Sequence, residues 1–125
     1  MEKIEIFSVN EDFNKFSNSI LNTAQKALEV LNPGEVSLDI FLVSNKEVAT
    51  NVLAFPSQKD FPRPDKPGEF IGEIYLNPDY IKSKKENLNL MVVHGILHLL
   101  GFKHDKKNER LKMEHQEKVI LSTIN

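Results

Sequence analysis

Three of the chain's four histidines fall within one short stretch, His94-Gly95-Ile96-Leu97-His98-Leu99-Leu100-Gly101-Phe102-Lys103-His104. His94 and His98 are four residues apart, which on a helix puts both rings on one face. Gly101 offers a place for that helix to end, because glycine accepts the left-handed backbone that terminates helices. The chain can then turn and carry His104 back toward the other two. Three converging imidazoles are a three-nitrogen metal site with a fourth position open to water, the arrangement of a catalytic rather than a closed structural centre.

The spacing is that of the metzincin zinc motif, H-E-x-x-H-x-x-G-x-x-H, with one change. Gly95 stands where zinc peptidases carry the glutamate that activates water. The expectation is a metal scaffold without peptidase machinery. The plainer alternative, two core histidines and a nearby loop histidine, would leave buried imidazoles without partners, which is costly. His115 is a lone helical histidine in a charged segment and reads as surface or as support behind the ligands. Glu114 and Glu117 read as helix-surface charges. Lys103 reads most simply as a solvated loop lysine, and more sharply as a phosphate contact beside the third histidine.

The elements that must hold these residues follow from periodicity. Lys3 to Phe7 alternates and reads as a strand. Asn10 is placed to cap a helix in which Phe13, Phe16, Ile20, Ala24, Ala27, Leu28 and Leu31 recur at helical spacing, stopped by Asn32-Pro33-Gly34. Val36, Leu38, Ile40 and Leu42 alternate with Ser37, Asp39, Phe41 and Val43, the clearest strand in the chain. Ser44 and Glu47 have capping-box spacing for a short turn. Asn51 to Phe55 is a short apolar run ended by Pro56. A proline-bearing loop runs from Pro56 to Glu69, long for so small a protein. Phe70 to Leu76 reads as a strand around Gly72, and Asn77-Pro78 as a helix start. Asn87 caps the helix that carries the histidines, whose residues Leu88 to Leu100 leave almost no polar face. Gly95 inside it implies that something packs close. Asp105 is the expected cap of a last helix, with Leu111, Met113, Ile120 and Leu121 as its buried contacts.

A chain of 125 residues, 40% hydrophobic and 27% charged, is expected to form one domain over 1–125. Without cysteine it has no disulfides, thiolate nucleophiles or thiolate ligands. Met1 to Glu5 shows neither a basic nor an apolar leader segment, and no apolar run is long enough to span a bilayer, so a cytoplasmic protein with no membrane partner is expected. The net charge of −2 makes the whole molecule no general glue for nucleic acid. Between Lys82 and Lys112, however, Lys82, Lys84, Lys85, Lys103, Lys106, Lys107, Arg110 and Lys112 are opposed only by Glu86, Asp105 and Glu109, a local +5 that brackets the histidines. Such a window is either a solvated rim or a face for phosphates.

The stretch from Met91 to His104 closely resembles the YbeY family of metal-dependent endoribonucleases, whose signature is H-G-x-L-H-L-x-G-[YF]-D-H. Thr50-Asn51-Val52-Leu53-Ala54-Phe55-Pro56 is similar to that family's T-[DN]-V-L-S-F-P block. Gly72-Glu73-Ile74 is similar to its G-D-[IL] strand, and Met113-Glu114 with Glu117 to its M-E-x-x-E helix. The resemblance implies an α/β (α+β) fold: a small mixed four-stranded sheet packed with helices, one of them a zincin-like metal helix. It implies one divalent metal ion, zinc, on His94, His98 and His104, and single-strand-specific endoribonuclease activity. The implied partner is ribosomal RNA of the small subunit, in 3′-end maturation and ribosome quality control. The chain departs from the pattern at Lys103, where the family carries aspartate, and at Ala54, where it carries serine. It also lacks the segment before Thr50 whose arginine faces the metal in the family. Slow RNA cleavage is therefore expected. Two other readings remain: a metal-binding ribosome-biogenesis factor that does not cut, and, more weakly, a metallopeptidase.

Overall fold

The computed structural model describes residues 3–57 and 68–124. Apolar alternation sets the sheet. Strand β1 (Lys3–Ser8) leads into a 3-10 segment, Glu11–Phe16, and then helix α1 (Ser17–Leu31). The sequence predicts one continuous helix from Asn10. Instead Asn10 Oδ1 accepts from Asp12 N at 2.9 Å and caps the 3-10 segment. In 3-10 geometry residues three apart eclipse, so Phe13 and Phe16 turn to the same side, and both pack on the core. Asn32 ends α1 in the left-handed conformation, its N–H bonded to Leu28 O at 2.8 Å.

Strands β2 (Val36–Leu42), β3 (Val52–Pro56) and β4 (Glu69–Leu76) complete a mixed sheet in the order β1-β2-β4-β3. β1, β2 and β4 are parallel, and β3 runs antiparallel along one edge. β2 is buried on both faces rather than one, with Ser37 and Asp39 buried alongside Val36, Leu38, Ile40 and Leu42. Its interior place in the sheet explains this. Its even-numbered residues face the helices, and the opposite face carries aromatic rings. Phe7, Phe41 and Tyr75 are in register and stack at 5.1 and 4.9 Å, and Phe55 meets Tyr75 edge-on at 5.6 Å. Each ring pair adds about 1 kcal/mol beyond its buried area. The predicted loop from Pro56 to Glu69 falls mostly on residues 58–67, outside the described residues.

Helix α2 (Pro78–Ser83) is short, with Asn77 Oδ1 accepting from Tyr80 N at 3.0 Å. Helix α3 (Leu88–Leu99) carries two of the histidines, and Asn87 caps it through Leu90 N at 3.1 Å, as the sequence predicts. It lies on β3 and β4 and between α1 and helix α4 (Lys107–Leu121). Val92, Val93, Ile96 and Leu97 are fully buried. The cap of α4 is Lys106 rather than Asp105, and Glu109 reaches back to accept from Lys106 N at 3.3 Å. Leu111 is 53% exposed, against expectation. The buried stripe of α4 runs through Met113 and Ile120, and Leu111 sits two positions before Met113, on the far side of a 3.6-residue turn.

Gly95 is the point of closest approach between α3 and the sheet. A Cβ there would meet Ile74 Cδ1 at 3.0 Å and Cγ2 at 3.1 Å. Ile74 is fully buried and β-branched, so it has little room to move. Gly95→Ala gains helix propensity of about 1 kcal/mol and costs about 1–3 kcal/mol in overpacking. We expect a net destabilisation of about 1 kcal/mol, read as a lower denaturant midpoint at unchanged slope. A stabilised variant would show that the contact relaxes freely.

Candidate metal centre

The three histidines reach their places by different routes. α3 is apolar almost all round, so the strip bearing His94 and His98 is its one polar interruption past the first turn. The helix ends in a Schellman motif. Gly101, at φ 97°, donates from its N–H to His98 O at 3.1 Å, and Phe102 donates to Leu97 O at 2.9 Å. Phe102 packs against the core and fixes the exit direction of the chain. Two residues later His104 stands against the helical pair.

The rings converge. His94 and His98 approach at 4.5 Å between centroids, His98 and His104 at 4.9 Å, and His94 and His104 at 5.6 Å. One ligand atom from each lies within 4.8 Å of the others, a set that could hold a metal ion. His94 and His98 are half-buried, and His104 is exposed.

A fourth residue joins them that the sequence reading assigned to the surface. Glu117 of α4 is only 13% exposed, and its Oε2 lies 2.9 Å from His94 Nδ1. An ionised carboxylate can only accept, so Nδ1 carries the hydrogen and the lone pair stays on Nε2. Carboxylates commonly orient metal-binding histidines in this way. The clue was in the sequence: Glu117 sits four residues after Met113 and three before Ile120, on the apolar stripe of α4. Glu114 and His115, off that stripe, are exposed.

His94 Nε2 and His98 Nε2 are 3.0 Å apart. At that distance the Nε2–H of one ring donates to the Nε2 of the other. Desolvation, then the neighbouring His94 and then His104, push the His98 pKa below its ordinary value, with the Phe102 backbone and Asp105 opposing. His98 is thus held neutral, the form that ligates a metal. The donor set, its tautomer and its charge state fit a divalent ion.

The histidines open onto a cleft of about 660 Å³. β3, from Val52 to Ala54 and again at Pro56, forms one wall, and Met91, Gly101 and Phe102 contribute to the other. Lys103, exposed, lies on its rim. A shallower hollow beside it is lined by Lys103, Lys112 and Glu109. Asn51, which also lines the cleft, donates from Nδ2 to Glu86 Oε1 at 3.2 Å. Of the basic window, Lys103 lines the cleft.

The model of the Endoribonuclease YbeY family matches residues 2–125. The chain belongs to the YbeY family. It is 31% identical over 135 residues to the Endoribonuclease YbeY of Homo sapiens, covering 98% of this chain and 76% of the human one. It is 28% identical over 159 residues to that of Clostridium botulinum, covering 98% and 93%. To the YbeY of Bartonella bacilliformis it is 42% identical over 90 residues, 64% of this chain, and there it spans only about half (55%) of the relative's length. A Thermotoga maritima protein solved in solution shares the fold, with a TM-score of 0.54 and 20% identity over 96% of this chain and 90% of that one. The expected mixed four-stranded sheet packed with helices is therefore the family's architecture in this YbeY chain. No helix among the described residues is long and apolar enough to cross a membrane.

Glu117→Gln should weaken zinc binding by about 10–100-fold, measured by competition with a chromophoric chelator, while the circular dichroism spectrum stays the same. An unchanged affinity would reduce Glu117 to a packing residue. The depressed His98 pKa also fixes a pH dependence. A folded-state pKa below the unfolded value of 6.5 gives stability that is complete above that pH and is lost as pH falls through the folded pKa. The denaturant midpoint of metal-free protein should therefore drop below pH 6.5, and it should drop less in His98→Gln.

Proposed function

We propose that residues 1–125 act as one metal-dependent endoribonuclease domain, with His94, His98 and His104 holding a single zinc ion and single-stranded ribosomal RNA as substrate. The carrying observation is the convergence of three imidazoles, one of them oriented by Glu117, in a cleft that Lys103 also lines. Bound there, a divalent ion supplies Lewis-acid polarisation of a phosphoryl oxygen and makes a water nucleophilic near neutral pH. The reaction breaks a phosphodiester P–O bond, with water or a ribose 2′-OH attacking phosphorus.

The chain's own residues supply the rest. Glu117 fixes the tautomer of His94. Phe102 and Gly101 fix the path that presents His104. Lys103, on the rim, is placed to meet phosphate charge and stands in part for the cation that relatives carry in their arginine segment. The names of the relatives support the nuclease class. Small-subunit 3′-end maturation, ribosome quality control and a cytoplasmic location belong to this same proposal.

Peptide hydrolysis is disfavoured on a structural ground as well as a sequence one. The position after His94 faces Ile74 at close contact, with no space for a general-base carboxylate. A ribosome-biogenesis factor that binds metal and RNA without cutting is the second reading, favoured by the absent arginine segment.

Elemental analysis should find one divalent ion per wild-type chain and a large loss in His98→Ala. In single-turnover assays on one precursor rRNA, cleavage should be chelator-sensitive and absent in His94→Ala. Lys103→Ala should be slower by roughly a hundredfold if it is the remaining transition-state cation. RNA affinity should fall steeply with added salt as phosphate contacts release counterions. Equal rates for wild type and His94→Ala would assign the cutting to a contaminant and favour the non-cutting reading.

A further inference from the structure

The wall of the cleft opposite the histidines is a sheet edge, and its hydrogen-bonding pattern can be worked out. Among the described residues β3 pairs only with β4, in the register Val52↔Leu76, Ala54↔Ile74 and Pro56↔Gly72. Just outside the strand, Asn77 N donates to Asn51 O at 3.0 Å and Ser57 N donates to Ile71 O at 2.9 Å. In an antiparallel ladder such bonded pairs recur at every second residue. The odd-numbered residues Asn51, Leu53, Phe55 and Ser57 therefore turn their backbone groups toward β4. The even-numbered residues Val52, Ala54 and Pro56 turn theirs outward, off the edge.

Those outward groups are not equivalent. The Val52 N–H is already taken by Asn51 Oδ1 at 2.6 Å, and Pro56 has no N–H. Ala54 is left as the strand's one outward donor, with its own carbonyl beside it and the Val52 carbonyl one step along. A donor beside an acceptor, the Ala54 N–H and C=O, can pair with an adjacent acceptor and donor, such as the carbonyl and N3–H on the Watson–Crick edge of uracil. The alternating side chains of β3 keep the larger groups clear of this edge. Phe102, across the cleft, offers a ring face beside the histidines.

We infer that the free edge of β3 reads the substrate: the Ala54 N–H and C=O hydrogen-bond the base edge of a nucleotide adjoining the phosphate at the histidine site. The inference rests on the endoribonuclease reading and deepens it by giving a physical origin for single-strand preference. A base in a duplex has its Watson–Crick edge occupied and cannot pair with a strand edge, whereas an unpaired base can be splayed onto it. Selection against duplex then needs no steric gate, because duplex RNA has nothing to offer this wall.

Proline at position 54 removes the donor alone, and an outward-facing N–H on an edge strand is where a sheet accepts proline. The test uses zinc-loaded full-length protein and a short fluorescent oligoribonucleotide with a hydrolysis-resistant 2′-O-methyl phosphorothioate backbone, single-stranded or annealed to its complement. Wild type should prefer the single strand. Ala54→Pro should bind the single strand about tenfold more weakly, the loss of one hydrogen bond whose partner is stranded, and should bind the duplex as wild type does. A second arm scans N3-methyluridine along the single strand. One position should cost wild type about tenfold, by blocking the base N3–H that donates to the Ala54 carbonyl. Unchanged single-strand affinity in a folded, zinc-retaining Ala54→Pro would overturn the inference. If that variant fails to fold, the methyl scan on wild type decides, and insensitivity at every position overturns it. Sensitivity at one position in a protein that never cleaves native RNA would uphold the edge contact while removing the nuclease reading.

Discussion

Everything near the histidines depends on one constraint: α3 is buried against a sheet and two helices, yet must present two imidazoles from its one polar strip. A helix apolar on nearly all sides has no freedom to roll. The contact of Gly95 with Ile74 sets its height above β4, and its burial against α1 and α4 sets its rotation. His94 and His98 point into the cleft because every other orientation would pull Val92, Val93, Ile96 or Leu97 out of the core. At about 1.5–3 kcal/mol for each large buried aliphatic side chain, the hydrophobic effect fixes the placement of the helical rings more firmly than any contact among them.

The same economy appears at the helix end. The Schellman motif at Gly101 and Phe102 caps the carbonyls of Leu97 and His98 and also aims the chain that bears His104. One turn thus satisfies backbone donors and acceptors and delivers the third ring. The exposed position of His104 leaves that ring the least confined of the three.

Much of this was legible in the sequence, for reasons that can be named. The i, i+4 histidines and the glycine three residues on specify a local geometry, and local geometry survives folding. Asn77 and Asn87 cap as expected because an N-cap is decided within four residues. The elements that departed from expectation did so through tertiary context. Alternation located β2 but cannot reveal that a row of aromatic rings and neighbouring strands cover its second face. Leu111 looked buried because it is apolar, yet it lies two positions before Met113, on the face of α4 turned away from the core. Glu117 looked like surface charge because a carboxylate on an apolar stripe has no meaning until the facing helix is known to carry an imidazole. Register along the edge of β3, and with it the identity of the outward donor, needed the sheet order, which periodicity alone does not give.

The link between Glu117 and His94 spans 23 residues and joins two helices that are made at different times. During synthesis α3 and the three histidines precede α4, so an emerging chain carries the imidazoles before it carries the carboxylate that selects their tautomer. A chain elongated only to Asp105 lacks the α4 face that buries one side of α3, and His94 is then free to hydrogen-bond through either nitrogen. Docking of α4 is the event that converts three nearby rings into one defined donor set. That order of assembly leaves the donor set incomplete in unfinished chains.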